Sequence, residues 1–286
     1  MNNTLPKVAA IHDISGIGRC SLSVILPILS VMGVQACPVP TAILSAHTGG
    51  FGDVVFHDLS LFIEESLEHY KTLDFDFDCI YTGFLASEQQ IDGCLRYFSQ
   101  YKNSFTVVDP VMGDHGKPYR TYSKNMISRM SELVRAADVV TPNLTEAEML
   151  LGRPLTTPLT RMDAKSLLAR LSEKGPKYVL VTGVPMATGD IYNIGYDAEK
   201  GAYWYVKCNY VPVSYPGTGD MFAALLIGGL LTGDSLPIAM ERSTRFLELA
   251  INTTYSYGGD SREGVMFEKS LSWLTENRMF SGFESL

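Results

Sequence analysis

The chain has 286 residues, 46% hydrophobic and 19% charged, a balance that belongs to a globular protein with a sizeable core and excludes a disordered one. Lys and Arg number 23 against 31 Asp and Glu, a formal charge of −8 with no basic cluster, so no nucleic-acid partner is expected. Five cysteines without C-x-x-C spacing exclude an evident zinc site or disulfide framework and point to a reducing, cytoplasmic setting.

The polar start, Met1 to Lys7, does not read as a signal peptide, and the longest apolar and glycine run, Met221 to Leu231, is too short to span a bilayer. No membrane partner is expected. In chain order, Val8 to Ile11 reads as a strand and Ser21 to Met32 as a helix, with Pro27 as a kink site. Val39 to Leu44 is a second strand and Leu59 to Tyr70 a second helix. Strands at Cys79–Thr82, Thr106–Asp109, Val139–Thr141 and Tyr178–Thr182 alternate with helices at Glu88–Tyr101, Ser123–Arg135, Leu144–Leu151 and Asp163–Ser172. Ile191–Tyr196 and Ala202–Val206 read as a hairpin turning at Asp197–Gly201, before three helical stretches, Gly217–Leu231, Ile238–Tyr257 and Phe267–Glu276. The alternation predicts an α/β fold in one domain, 1–286, with a parallel sheet covered on both faces and ligands beyond the carboxyl ends of its strands.

Several segments fall just after strands. Pro216-Gly217-Thr218-Gly219-Asp220 leads straight into an apolar helix, so glycine backbone and helix N–H groups together can cradle a phosphate, with Asp220 able to take a hydroxyl proton. An ordinary glycine-rich turn with an acidic helix start explains the same letters. Thr141-Pro142-Asn143-Leu144-Thr145-Glu146 reads as a capping box between Asn143 and Glu146, or as an acid held near Mg²⁺ through water. Asp109-Pro110-Val111-Met112-Gly113-Asp114 puts two acids beyond a strand, suited to metal and phosphate or to a plain turn. Asp13–Arg19 is too poor in glycine for a dinucleotide fingerprint, and no P-loop, nucleophile elbow or zincin motif occurs. His47 and Thr48 stand where a substrate ring could be met, although a lone His is more often structural.

Taken together and in order, Asp13–Arg19, His47–Gly49, Asp109–Asp114, Thr141–Glu148 and Gly217–Asp220 resemble the ribokinase-like superfamily, and within it the pyridoxal/pyridoxamine kinases and hydroxymethylpyrimidine kinases. The resemblance covers nearly the whole chain. It implies a three-layer fold whose central, mostly parallel sheet has about eight strands between helices. It implies ATP and Mg²⁺ as cofactors, with K⁺ a further candidate, a small-molecule substrate and a homodimer. Asp220 would be the base, and the N–H groups of Gly217, Thr218 and Gly219 the anion hole. Asn143, Thr182 and Thr218 would meet the nucleotide, and Asp109 and Glu146 the metal. Asp13, His47 and Thr48 would face the substrate ring, with Asp114 and Tyr119 closing over it; Gly113 to Tyr122 is a candidate flap.

Within the superfamily, Ser45-Ala46-His47-Thr48-Gly49 is closer to the S-N-H-T-G of pyridoxal kinases. Asp13-Ile14-Ser15-Gly16 is closer to hydroxymethylpyrimidine kinases, and Phe84 stands where many pyridoxal kinases have Tyr. The preferred reading is ATP-dependent phosphorylation of the 5′-hydroxymethyl group of pyridoxal, pyridoxamine or pyridoxine. The alternatives are hydroxymethylpyrimidine (phosphate) kinase and a non-catalytic vitamin-binding protein. A phosphate-ester substrate would call for extra cations, and Arg19 is the only obvious one near these loops.

Overall fold

A computed structural model describes residues 4–119, 122–209, 211–276 and 278–286. The first half of the chain forms β1 (Lys7–Ile17), α1 (Leu22–Val31), β2 (Gln35–Ala46), β3 (Phe56–Asp58), α2 (Ser60–Lys71), β4 (Cys79–Thr82), α3 (Glu88–Gln100) and β5 (Phe105–Val108). A small hairpin, β6 (Gly113–Asp114) and β7 (Lys117–Pro118), precedes α4 (Lys124–Arg135), β8 (Val139–Val140), α5 (Leu144–Leu151) and α6 (Arg161–Ser172). Then come β9 (Tyr178–Pro185), β10 (Ile191–Asp197), β11 (Ala202–Cys208), α7 (Thr218–Leu231), α8 (Leu236–Tyr257) and β12 (Phe283–Ser285).

Ten strands make one sheet in the order β12-β11-β10-β9-β8-β5-β4-β1-β2-β3. Pairings from β9 through β8, β5, β4 and β1 to β2 are parallel, and the strands added at either edge are antiparallel. Side chains alternate between faces along each strand, and the core follows. Val8 and Ala10 pack with α1, α7 and α8, whereas Ala9 and Ile11 pack with residues of α2 to α6. The helix α7 is buried through Met221–Gly229. Its apolar sequence is therefore that of a fully enclosed helix, and its first turn comes up at the carboxyl end of the sheet.

Two expectations change. The first strand does not stop at Ile11: it continues to Ile17 because β2 runs alongside as far as Ala46, with a register shift between His12 and Ile14. Asp13 is thus held by a strand rather than a loop. The stretch Phe267–Glu276 is not one helix. It forms two short 3₁₀ turns, Phe267–Lys269 and Leu271–Thr275, that bury Phe267 and Leu274.

Candidate active site

Asp220 opens α7 beside the loop that leads into α1. The contact is backbone on backbone: Gly217 has φ 79°, and a Cβ there would lie 2.0 Å from the Arg19 carbonyl oxygen and 2.9 Å from Cys20 Cα. Only glycine fits both the conformation and the space. The close approach lets the Ser21 N–H donate to Asp220 Oδ2 at 2.8 Å. The Ser21 hydroxyl donates to Asp13 Oδ1 at 2.6 Å, and the Ser15 hydroxyl to Asp13 Oδ2 at 3.2 Å. One serine therefore ties the buried Asp13 to Asp220. Burial pushes the Asp220 carboxyl up to about 7; the Ser21 N–H opposes the rise and the Asp13 charge adds to it. Burial likewise raises Asp13, against its two serine donors. The Thr218 hydroxyl is spent on the Tyr215 carbonyl at 3.2 Å. The first N–H groups of α7 have no intrahelical partner and carry the positive end of the helix dipole.

The second set of acids lies across this turn. Asp109 follows β5 and is anchored by its N–H to the Thr82 carbonyl at 2.8 Å. Its Oδ2 would be 3.7 Å from a Cβ on Gly219, so the carboxylate flanks the glycine-rich turn that opens α7. Glu146 is fixed by the capping box at the start of α5: its Oε2 accepts from the Asn143 N–H at 2.8 Å, and its own N–H donates to Asn143 Oδ1 at 2.9 Å. Glu146 Oε1 also accepts from the Met112 N–H at 3.1 Å. Both acids are buried, and both are raised well above the ordinary carboxylate range. Burial is the main cause for each; Asp220 adds to the rise in Asp109, and Asp109 to that in Glu146. A divalent cation would relieve this crowding of like charge. Two carboxylates suit Mg²⁺, which binds few acids directly and keeps much of its hydration. Among the described residues no group of three or more His, Cys, Asp or Glu forms an all-protein metal cage.

Both ends of the Asn143 amide are engaged inside the protein, since Nδ2 donates to the Gly113 carbonyl at 2.9 Å. The side chain is a cap, with one Nδ2 hydrogen left for a nucleotide. Asn143→Ala is expected to cost about 1 kcal/mol, read as a Tm lowered by a few degrees. The hairpin β6–β7 is held at the same point, with the Gly116 N–H on the Thr145 hydroxyl at 2.9 Å. It turns through His115 and Gly116, whose φ values of 50° and 76° define a two-residue turn. Asp114 and Tyr119 are exposed on this arm. Asp114 accepts from the His115 N–H at 2.7 Å. The Tyr119 phenol is pushed up by partial burial and then by Glu146 and Asp114, so it faces the acids. Residues 120 and 121 of the candidate flap lie outside the described residues.

A cleft of about 410 Å³ opens on the other side of the α7 turn. Thr182, Thr218 and Gly219 line its polar end, and Val213, Leu247 and Ile251 are among its apolar walls. Asn193 also lines it and was not foreseen. Its Oδ1 accepts from the Gly183 N–H at 3.0 Å, and its Nδ2 donates to Thr244 at 2.9 Å, which fixes the turn after Thr182. A wider depression of about 680 Å³ between α8 and the C-terminal turns contains none of the predicted residues.

On the Asp13 side, His47 is buried and uses both ring nitrogens. Nδ1 accepts from the Gly49 N–H at 3.0 Å, which leaves Nε2 as donor to the Arg262 carbonyl at 2.6 Å. A ligand can therefore meet the ring only by its face or edge. Gly18 has φ 98°, and a Cβ there would be 2.1 Å from His47 Cδ2, so the loop closes directly onto the imidazole. Thr48 is exposed beside it. Arg19 is not free: its guanidinium pairs with Glu268 at 2.7 Å and reaches Glu263 at 3.9 Å. Sequence reasoning missed Ser21, because nothing in its letter signals a serine held at φ 48°.

A sheet of this topology between two helical layers, with an acidic crevice at a glycine-rich helix start, defines the ribokinase-like class. A family profile described as phosphomethylpyrimidine kinase matches residues 26–264, and the chain belongs to that family. A candidate phosphomethylpyrimidine kinase from Bacteroides thetaiotaomicron, crystallised with pyridoxal, is 40% identical with a TM-score of 0.94, over 99% of this chain and 100% of that one. Pyridoxal kinase from Lactobacillus plantarum is 31% identical with a TM-score of 0.87, over 95% and 97% of the two chains. The thiamine biosynthetic bifunctional enzyme TH1 of Arabidopsis thaliana is 28% identical over 87% of this chain, which spans only 47% of that protein.

Proposed function

We propose that the chain, acting as one domain, transfers the γ-phosphate of ATP to the 5′-hydroxymethyl group of pyridoxal, pyridoxamine or pyridoxine. The observation that carries this is the Asp13–Ser21–Asp220 link, which ties the buried Asp13 to an acid raised to about 7 at the start of α7. A base poised near neutral pH is matched to taking a proton from an alcohol as it attacks. As the substrate oxygen bonds to the γ-phosphorus, the bond to the ADP oxygen breaks and the hydroxyl proton passes to Asp220. The N–H groups of Gly217, Thr218 and Gly219 meet the charge that develops on the transferring group. Asp109 and Glu146 are the residues that would hold Mg²⁺, through water for Glu146, and the ion would supply neutralising charge at the phosphates. Thr182 and Thr218 border the nucleotide. Asp13, His47 and Thr48 border the ring, with Asp114 and Tyr119 above it.

Vitamin B6 is favoured over the pyrimidine of thiamine synthesis by two observations. The 40%-identical structure was crystallised with pyridoxal. Arg19, the cation that a phosphate ester would need, is held by Glu268 and Glu263. The pyrimidine reading rests on the family's own description. Comparing kcat/KM for pyridoxal and for hydroxymethylpyrimidine, with and without K⁺, separates them. A preference for the pyrimidine would move the enzyme to thiamine synthesis with the same chemistry.

Five free cysteines fit a reducing, cytoplasmic setting. A homodimer is supported by exposed apolar side chains along one end of the sheet: Ile14, Ile17, Ile43, Val55 and Phe56, with Leu61 beside them on α2. Ile14 and Ile43 are cross-strand partners. A patch of this kind is the usual mark of an interface. Ile43→Asp is expected to halve the mass measured by light scattering; an unchanged mass would remove this surface as the interface.

A further inference from the structure

Among the described residues, eight buried side-chain polar atoms lack a hydrogen-bond partner. Four of them gather under the acid cluster: both ring nitrogens of His12, the Tyr81 hydroxyl and the Thr141 hydroxyl, the last without a well-aligned partner yet close enough to Asp109 to lower its carboxyl. The sheet brings them together. β1 pairs with β4, β4 with β5 and β5 with β8, and in register Val108 lies opposite Val140, so Asp109 and Thr141 leave their strands side by side. By alternation, His12, Tyr81, Asp109 and Thr141 all point to the α7 face. His12 and Tyr81 lie ring to ring, 4.2 Å between centroids. A Cβ on Gly83 would be 2.1 Å from His12 Cε1, so that glycine makes the room the imidazole occupies.

Unpaired buried groups are costly, and folded proteins satisfy them with ordered water where the site is polar and roomy enough. His12 is held neutral by burial, lowered to about 3, and so can accept as well as donate. Burial raises the Tyr81 phenol, and the charges that add most to the rise are Asp109 and then Asp220. Tyr81 lies opposite Val107 on the neighbouring strand, so on the shared face it stands diagonally beside Asp109, two residues further on.

We propose that Tyr81 is a positioning residue for Asp109: with His12 and Thr141 it encloses a buried water site, and its hydroxyl donates through that water to the carboxylate. The donation fixes which oxygen Asp109 turns toward the Mg-nucleotide. This rests on the kinase reading above only for the identity of the ligand.

Tyr81→Phe keeps the ring and its packing and removes only the hydroxyl. Two quantities are read from thermal melts of the intact protein, the Tm alone and the Mg²⁺ needed for half of the Tm rise given by a fixed concentration of ADP. We expect a Tm lower by about 2–4 °C and a half-point raised by about 10-fold. A Tm equal to or above the parent would mean that the hydroxyl is an empty orphan, and would overturn the proposal. A lower Tm with an unchanged Mg²⁺ half-point would also overturn it, leaving Tyr81 a packing residue. If ADP gives the parent no Tm rise at any Mg²⁺ concentration, the nucleotide reading fails instead, and the Tm of the variant alone decides whether the hydroxyl has a partner.

Discussion

Asp220→Asn is expected to lower kcat by about 10²–10⁴-fold while making the protein more stable at neutral pH. The two effects have one cause. Asp220 is half-buried, and its carboxyl is raised to about 7 because the site disfavours its charge. An acid with a folded pKa above its unfolded one binds more protons in the folded state, so stability falls as pH rises from about 4 to about 7 and is level beyond. Asparagine cannot ionise and escapes that penalty. Allowing for partial exposure, the gain is about 1–3 kcal/mol at pH 8, shrinking to nothing near pH 4. Melts of both proteins across this range measure it. In the parent, kcat/KM should rise with pH and level off above about 7, whereas the residual rate of Asp220→Asn should lose that step. A variant that is slower but no more stable at pH 8 would mean that the carboxylate is not strained in the folded state.

The second large effect is expected at Gly217. Alanine there meets the Arg19 carbonyl oxygen at 2.0 Å and must also adopt φ 79°. The obstruction is backbone, so no side-chain rotation relieves it. Gly217→Ala should cost at least about 2 kcal/mol of stability. It should also lower kcat/KM by about 100-fold or more, because the N–H groups proposed to receive the phosphate turn with the loop. Gly217 is thus tied to the α1 loop by shape, and to the chemistry by the proposed role of its N–H. A variant that melts lower yet keeps full turnover would move the anion hole elsewhere.

What was readable in the sequence follows a physical division. Gly217–Asp220 was legible because its backbone freedom, helix start and acid are contiguous. The Asn143–Glu146 capping box was legible for the same reason, and the structure adds that the Asn143 amide also donates to the Gly113 carbonyl. Ser21 was not legible, because its role depends on a positive φ imposed by a partner loop almost 200 residues away. The continuation of β1 through Asp13 to Ile17 depends on β2 and is not encoded in local alternation. The short edge strands β3 and β12 are stabilised by their neighbours and carry no periodicity of their own. The hairpin β6–β7 had a local signal in His115-Gly116, a pair suited to positive φ, which the flap reading passed over. His47 was legible as a candidate for the site, but the occupation of both its ring nitrogens was not, since the carbonyl that takes its Nε2 proton belongs to Arg262.

The most direct test of the account is to incubate the purified protein with Mg-ATP and pyridoxal and to identify the products by mass, with Asp220→Asn in parallel. The account predicts pyridoxal 5′-phosphate and ADP in equal amounts from the parent, and at least about 100-fold less from the variant. Pyridoxal left unphosphorylated by a folded, ATP-binding parent, or equal yields from parent and variant, would contradict it.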